Sequence, residues 1–348
     1  MPLDAAVMER PVEVVMKTQP PLVDVRDLSV KFVSRESTNS AVNGVTFDLQ
    51  AGEVLCIIGE SGSGKSVTMR ALMKLLPPNR TKISGHMRVG AHDITRMSES
   101  DMRAVRGSQI SMIFQEPMTA LDPVYTIGDQ IAETVMRHEH CSRADAMARA
   151  LELLQLVRVP SPERRLKAYP HELSGGLRQR AMIAVALSCK PDLLLADEPT
   201  TALDATVQIQ VLILLRKLQQ ELGMAMIFVT HDLGVAAQIA DKVAVMYAGR
   251  IVEYGKVSDV LMHPQHPYTL GMLASTVHGN MRGQEIEAIP GSPPDLRRQI
   301  QGCSFTPRCK FAVKDCLAAP PPAVQLENGQ YAACIRAGKG ALSAAPQA

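Results

Sequence analysis

The chain has 348 residues, 46% hydrophobic and 21% charged, a balance that suits one large α/β domain with an appendage or two modest domains. Its net charge of +2 argues against a nucleic-acid or anionic-membrane partner, which calls for a pronounced basic excess. No run approaches the roughly 18 apolar residues that a membrane-spanning helix needs.

The N-terminal stretch carries Asp4, Glu9, Arg10, Pro11, Glu13 and Pro20, which interrupt any apolar segment of the kind a secretory signal requires. We expect a tail over residues 1–22 and a cytosolic setting, where paired structural disulfides are rare. From Val23 to Val33 apolar and polar residues alternate, as in half-buried strands. "AVNGVTFDLQAGE" repeats the pattern, with turn punctuation expected at Asn43-Gly44 and Ala51-Gly52. "VLCIIGE", Val54 to Glu60, is nearly all apolar and reads as a strand buried on both faces. A helical period follows from Lys65 to Leu76 and stops at Pro77-Pro78.

Between that strand and helix lies "GESGSGKS", which fits G-x-x-x-x-G-K-[ST]. Gly59, Glu60, Ser61, Gly62, Ser63 and Gly64 form a loop whose backbone N–H groups can turn inward around a polyphosphate. Lys65 supplies a point charge, the Ser66 hydroxyl can ligate Mg²⁺, and the helix opening through Val67 aims its positive end at the anion. The flanking strand and helix are what the mechanism demands, and an ordinary glycine turn has no need of them.

From about 117 to 187 the period is mostly helical, clearest in "RADAMARALELLQLV". Gln115, in "MIFQEP", leaves a β-like run into a loop. "DLLLADE", Asp192 to Glu198, is a second buried strand, a helix covers Val207 to Leu222, and "AMIFVTH", Ala225 to His231, is a third strand. Strand, helix, strand at this spacing argues a parallel sheet with helices on both faces. Asp197 ends its strand where it can hold a Mg²⁺ shell, and Glu198 beside it can polarise an attacking water. A lone histidine such as His231 is more often structural. Its position at the same sheet edge as Lys65 and Asp197 favours a γ-phosphate contact.

"LSGGLRQR", Leu173 to Arg180, set between the phosphate loop and "DEPTTALD", resembles the ATP-binding subunit of an ABC transporter, over roughly Val23 to Val260. The resemblance implies a P-loop NTPase fold of ABC type, a mixed sheet with an inserted helical subdomain, and two such subunits closing on two ATP molecules. It further implies that Ser174, Gly175, Gly176 and Gln179 meet the nucleotide of the opposite subunit. Gln115 would sense Mg²⁺ and the attacking water, Asp204 would line the dimer seam, and Phe32 would stack on adenine. As a strand residue, Phe32 is equally at home in a core.

After about Val260 prolines multiply and apolar periodicity fades. "HPQHPYTLGMLAS" and "IPGSPPDLRRQIQGCSFTPRC" resemble the C-terminal extension of dipeptide and oligopeptide importer ATPases, a group that also serves nickel, glutathione and opines. That implies an unlike ATPase partner, two membrane permeases, an extracytoplasmic binding protein, and a peripheral position on the cytoplasmic face of the inner membrane. Cys303, Cys309, Cys316 and Cys334 lack the tight C-x₂-C pair of zinc ribbons. By resemblance they are the ligands of a [4Fe–4S] cluster; a zinc site, or reduced or disulfide-bonded cysteines, stay open. Cys56, Cys141 and Cys189 read as packing residues. Two rival functions are a soluble ABC ATPase working on nucleic acid or ribosomes, and a redox-gated ATPase sensing through the C-terminal cysteines. The short span between Gln115 and Ser174 leaves no room for the long coiled coil that the first would bring.

Overall fold

A computed structural model describes residues 20–201, 203–275, 288–298 and 300–339. Apart from residues 20–22, the expected N-terminal tail lies outside the described residues, as does the end of the chain after residue 339.

The strands are β1 (Val23–Val33), β2 (Thr38–Leu49), β3 (Val54–Ile58), β4 (Thr81–Val89), β5 (His92–Asp93), β6 (Ile110–Ile113), β7 (Leu193–Asp197), β8 (Ala225–Thr230), β9 (Lys242–Tyr247), β10 (Arg250–Lys256), β11 (Val324–Gln325) and β12 (Tyr331–Ala332). The helices are α1 (Lys65–Leu72), α2 (Glu99–Val105), α3 (Pro117–Ala120), α4 (Ile127–Glu139), α5 (Arg143–Leu156), α6 (Pro162–Leu166), α7 (Gly175–Ala186), α8 (Ala205–Leu222), α9 (Leu233–Ile239), α10 (Val257–Met262) and α11 (Pro267–Ala274).

The main sheet runs β11-β12-β10-β9-β3-β8-β7-β6. Strands β6, β7, β8, β3 and β9 are parallel, while β9, β10, β12 and β11 pair antiparallel. The parallel strands are apolar on both sides because both faces are covered. Val54, Cys56 and Ile58 of β3 face one core, with α4, α5, α7 and α8. Leu55 and Ile57 face the other, with α1 and a second sheet. That second sheet, antiparallel in the order β2-β1-β4-β5, covers the face where helices alone were expected.

Two local expectations are corrected. Asn43-Gly44 makes no turn: it lies inside β2, where the register against β1 slips between Leu28↔Val45 and Val30↔Val42. Gly44 takes φ +66 there, a bulge that glycine accommodates at little steric cost. Helix α1 stops at Leu72 rather than at the prolines. Lys74 turns to φ +48, and Arg106 donates from Nε to the Met73 carbonyl at 2.8 Å and from Nη2 to the Lys74 carbonyl at 3.1 Å, taking acceptors that a further turn would use.

The C-terminal segment packs into the same body. Tyr268, Met272 and Phe305 are buried in the larger core, with Tyr268 and Phe305 against Tyr247 of β9, and β12 extends the sheet by pairing Ala332 with Glu253 and Tyr331 with Tyr254.

Candidate active site

The parallel strands end on one edge, and β3, β7 and β8 deliver Gly59, Glu198 and His231 there, the usual crevice of an open α/β sheet. The crevice is lined by Phe32, Ser61, Gly62, Gly64, Lys65, Ser66, Val67, Gln115, Glu198 and His231, and also by Asn39, Ala41 and Leu296.

The loop after β3 depends on two of its glycines. A Cβ on Gly59 would stand 2.2 Å from the Met246 carbonyl oxygen, and one on Gly64 2.5 Å from that of Ala41. The loop is thus pressed against β9 and β2 with no space for side chains at those positions. Glu60 and the buried Ser63 continue the turn, with the Ser63 amide donating to the Glu60 carbonyl at 3.2 Å. Gly64 precedes α1 without a side-chain cap, so the first amides of that helix face the crevice unsatisfied by the protein.

Lys65, 5% exposed, folds back so that Nζ donates to the carbonyls of Gly59 at 2.7 Å and Glu60 at 3.0 Å. Burial lowers its ammonium pKa, and the carboxylates of Glu198, Asp197 and Glu60 pull it up again. The Ser66 hydroxyl donates to Asp197 Oδ1 at 2.7 Å. Burial raises the Asp197 carboxyl, against the lowering effect of Ser66 and Arg70. A half-buried hydroxyl–carboxylate pair whose carboxyl resists ionising gains from a divalent cation, which would favour its charged form.

Glu198 sits in the left-handed region at φ +46, an uncommon conformation for a long side chain that brings its carboxylate over the crevice. Its Oε2 accepts from Gln115 Nε2 at 3.3 Å and Thr201 Oγ1 at 3.1 Å, and lies 3.7 Å from His231 Nδ1. Residues from three separate strand ends therefore converge on one carboxylate. Phe32 is only half-buried and lines the crevice.

The residues expected to reach a second subunit do not line this crevice. Ser174 and Gly175 are exposed at the start of α7, and Gly176 is half-buried. Asp204 is exposed but occupied, its Oδ1 accepting from the Val207 amide at 2.9 Å to cap α8. Gln179, one helical turn along from Gly175 and so on the same face of α7, is 1% exposed. Sequence reasoning missed Asn39, Ala41, Thr201 and Leu296. Thr201 follows "DEPT" and was findable; the other three come from distant chain and carry no local signal.

Cys303, Cys309, Cys316 and Cys334 line one small apolar cavity with Phe305, Phe311 and His266. The Cys303 amide donates to the Cys316 carbonyl at 2.7 Å, which closes the loop between them. Burial, with the neighbouring thiols adding, pushes Cys309 up to about 11 and raises Cys334. Among the described residues no three His, Cys, Asp or Glu side chains stand close enough to cage a single metal ion. Neither the expected [4Fe–4S] cluster nor the zinc alternative finds support in that arrangement.

The fold and crevice define a P-loop nucleotide hydrolase of the ATP-binding-cassette class. The ABC transporter family model matches residues 42–201, and that for the oligopeptide/dipeptide transporter C-terminal region matches residues 252–316. A probable peptide ABC transporter ATP-binding protein of Sinorhizobium fredii is 50% identical, over 90% of this chain and 95% of its own. The dipeptide transport ATP-binding protein DppD of Bacillus subtilis is 50% identical over 83% and 86%, and the oligopeptide transport protein OppD of Salmonella typhimurium 48% over 90% and 93%. Among solved structures, the dimeric cassette MJ0796 bound to ADP and Pi is 27% identical with a TM-score of 0.61, covering 68% of this chain and 98% of that one. The chain belongs to the ATP-binding subunits of ABC transporters, in the branch that carries the oligopeptide/dipeptide C-terminal region, and it is an ATPase.

Proposed function

We propose that this chain hydrolyses ATP in the crevice at the ends of β3, β7 and β8 to power import of peptides through membrane permeases. The observation that carries the reading is the convergence of Gln115, Thr201 and His231 on the Glu198 carboxylate beside the Ser66–Asp197 pair. Lys65 and the loop amides bind the phosphates, Ser66 and Asp197 hold Mg²⁺ with Gln115 at its edge, and Phe32 takes the adenine face. Glu198 accepts the proton of the attacking water, with His231 and Gln115 orienting the carboxylate and the γ-phosphate. Mg²⁺ supplies charge neutralisation between the phosphates when bound.

Ser174, Gly175 and Gly176 offer a hydroxyl and bare amides at the exposed start of α7 to the nucleotide of a second subunit, and Asp204 lies along that seam. The loop from Phe114 to Tyr125 exposes Phe114, Met118, Val124 and Tyr125 next to Gln115, an apolar patch suited to a permease. Among the described residues no helix is long and apolar enough to cross a membrane, in keeping with a subunit docked peripherally on the cytoplasmic face. We take residues 23–260 as the ATPase domain, with its helical subdomain at about 117–187, and 261–348 as the extension. An unlike second ATPase and an extracytoplasmic binding protein complete the importer.

The four cysteines suit a [4Fe–4S] cluster better than any single ion. Their cavity is apolar and thiol-lined, and Cys303, Cys309, Cys316 and Cys334 would be the residues that hold such a cluster. Bound there, it would supply positive iron that favours the thiolate forms of these cysteines. Iron and sulfide assayed on anaerobically purified protein, with its visible spectrum, test this; colourless, iron-free protein refutes it.

The hydrolytic reading is tested by Glu198→Gln, which should lower ATP turnover by about 10²-fold or more while ATP still binds. Undiminished hydrolysis would overturn the general-base role. Copurification with permeases supports the import reading, and copurification with ribosomes or nucleic acid opposes it.

A further inference from the structure

Glu60, the second residue of the phosphate loop, is an acid, the wrong charge for a loop that cradles a polyphosphate. Its carbonyl already accepts from Lys65 Nζ at 3.0 Å, so a bare carboxylate on the same residue would compete with phosphate for that ammonium. The C-terminal extension answers this charge from the far end of the chain. Arg308 Nη1 donates to Glu60 Oε2 at 2.8 Å and Nη2 to Oε1 at 3.0 Å, a fork of the kind that aligns a carboxylate as well as neutralising it.

Arg308 is built in. It is 8% exposed, its Nε donates to the Pro290 carbonyl at 2.8 Å, and Nη1 reaches the Tyr247 hydroxyl at 3.3 Å. Its guanidinium lies 5.8 Å from the Tyr247 ring centre and 6.0 Å from that of Phe305. A second extension residue holds the same loop position: the Glu60 amide donates to the Tyr268 hydroxyl at 2.9 Å. Tyr247, Tyr268 and Phe305 pack ring on ring, and Phe305 also lines the cysteine cavity.

We propose that Arg308 is a positioning residue for ATP binding: it neutralises and fixes Glu60, so that Lys65 and the loop amides are free to meet the phosphates. The proposal rests on Gly59 to Ser66 being the phosphate site. Because Arg308 directly precedes Cys309, whatever orders the cysteine loop also holds this grip in place.

The test is steady-state ATPase kinetics on the purified full chain. Arg308→Met should raise the KM for ATP about tenfold with kcat within about twofold, tenfold being about 1.4 kcal/mol of lost binding. Adding Glu60→Gln to Arg308→Met should return KM to within about threefold of wild type, since the stranded charge is then gone. A merely structural role would reduce the active fraction, and so kcat, at unchanged KM, and Glu60→Gln would not repair it. An unchanged KM in Arg308→Met, a fall in kcat alone, or no recovery in the double variant overturns the proposal. Should Arg308→Met fail to fold, Arg308→Gln carries the same expectation. Lys65→Ala separates the two levels: if it binds a fluorescent ATP analogue like wild type, the phosphate-site reading itself fails. If it loses binding while Arg308 variants keep their KM, only the role of Arg308 fails.

Discussion

Glu253 offers a sharp test of how the C-terminal segment is held to the ATPase. Its side chain is fully buried on β10, yet it accepts from the Gln265 amide at 2.6 Å, the His266 amide at 2.9 Å and Gln330 Nε2 at 2.7 Å. All three donors belong to chain beyond β10, so one carboxylate pins both α11 and the β12 strand. Glu253→Leu removes the acceptor and strands the donors, each costing about 1–3 kcal/mol if left buried without a partner. With some water entering, we expect a net loss of about 3–5 kcal/mol. Urea denaturation should show it, and limited proteolysis should cut first in the segment after Lys256. Glu253→Gln keeps an oxygen acceptor and should lose less. Burial raises the Glu253 pKa above its usual carboxylate value despite those donors. A raised folded-state value means that its contribution is full below the unfolded pKa and declines as pH rises through the folded one. The gap between wild type and Glu253→Gln should therefore narrow from acid toward neutral pH. A Glu253→Leu protein within about 1 kcal/mol of wild type, with unchanged proteolysis, would refute the pinning role, because even one stranded donor should cost that much.

Gly59→Ala should abolish binding of a fluorescent ATP analogue, because its Cβ would sit 2.2 Å from the Met246 carbonyl oxygen of the central sheet; retained affinity would show that the loop has slack. Ser174→Arg should leave nucleotide binding by the isolated chain intact, as Ser174 lies outside its own crevice. The same variant should cut ATP turnover by about tenfold or more if Ser174 helps bind phosphate across the seam.

Much of the nucleotide site was legible in contiguous residues. The phosphate loop, the Asp197–Glu198 pair and the "LSGG" stretch each work through backbone turns and strand ends, whose demands are local and leave short patterns. Buried parallel strands were legible for the same reason, since an apolar run covered on both sides has few alternatives. Residue 179 lies within the motif, yet packing around α7 leaves it 1% exposed, which the motif alone does not tell. At Asn43-Gly44 a turn dipeptide became a bulge, because pairing of β2 with β1 on both sides outweighed the local preference for reversal.

What the sequence alone determined is the class of protein: a glycine-rich loop ending in Lys65 and Ser66, the "LSGG" stretch and the Asp197–Glu198 pair, in the order of an ATP-binding cassette. Tertiary structure alone decided that Gln115, Thr201 and His231 meet on one carboxylate and that four scattered cysteines share one cavity. It also decided that Arg308 crosses to Glu60. Those contacts join residues far apart along the chain, so each is set by how β3, β7, β8 and the extension pack. Backbone conformation is written in neighbouring residues, whereas long-range pairing is written only in the complementarity of the folded surfaces.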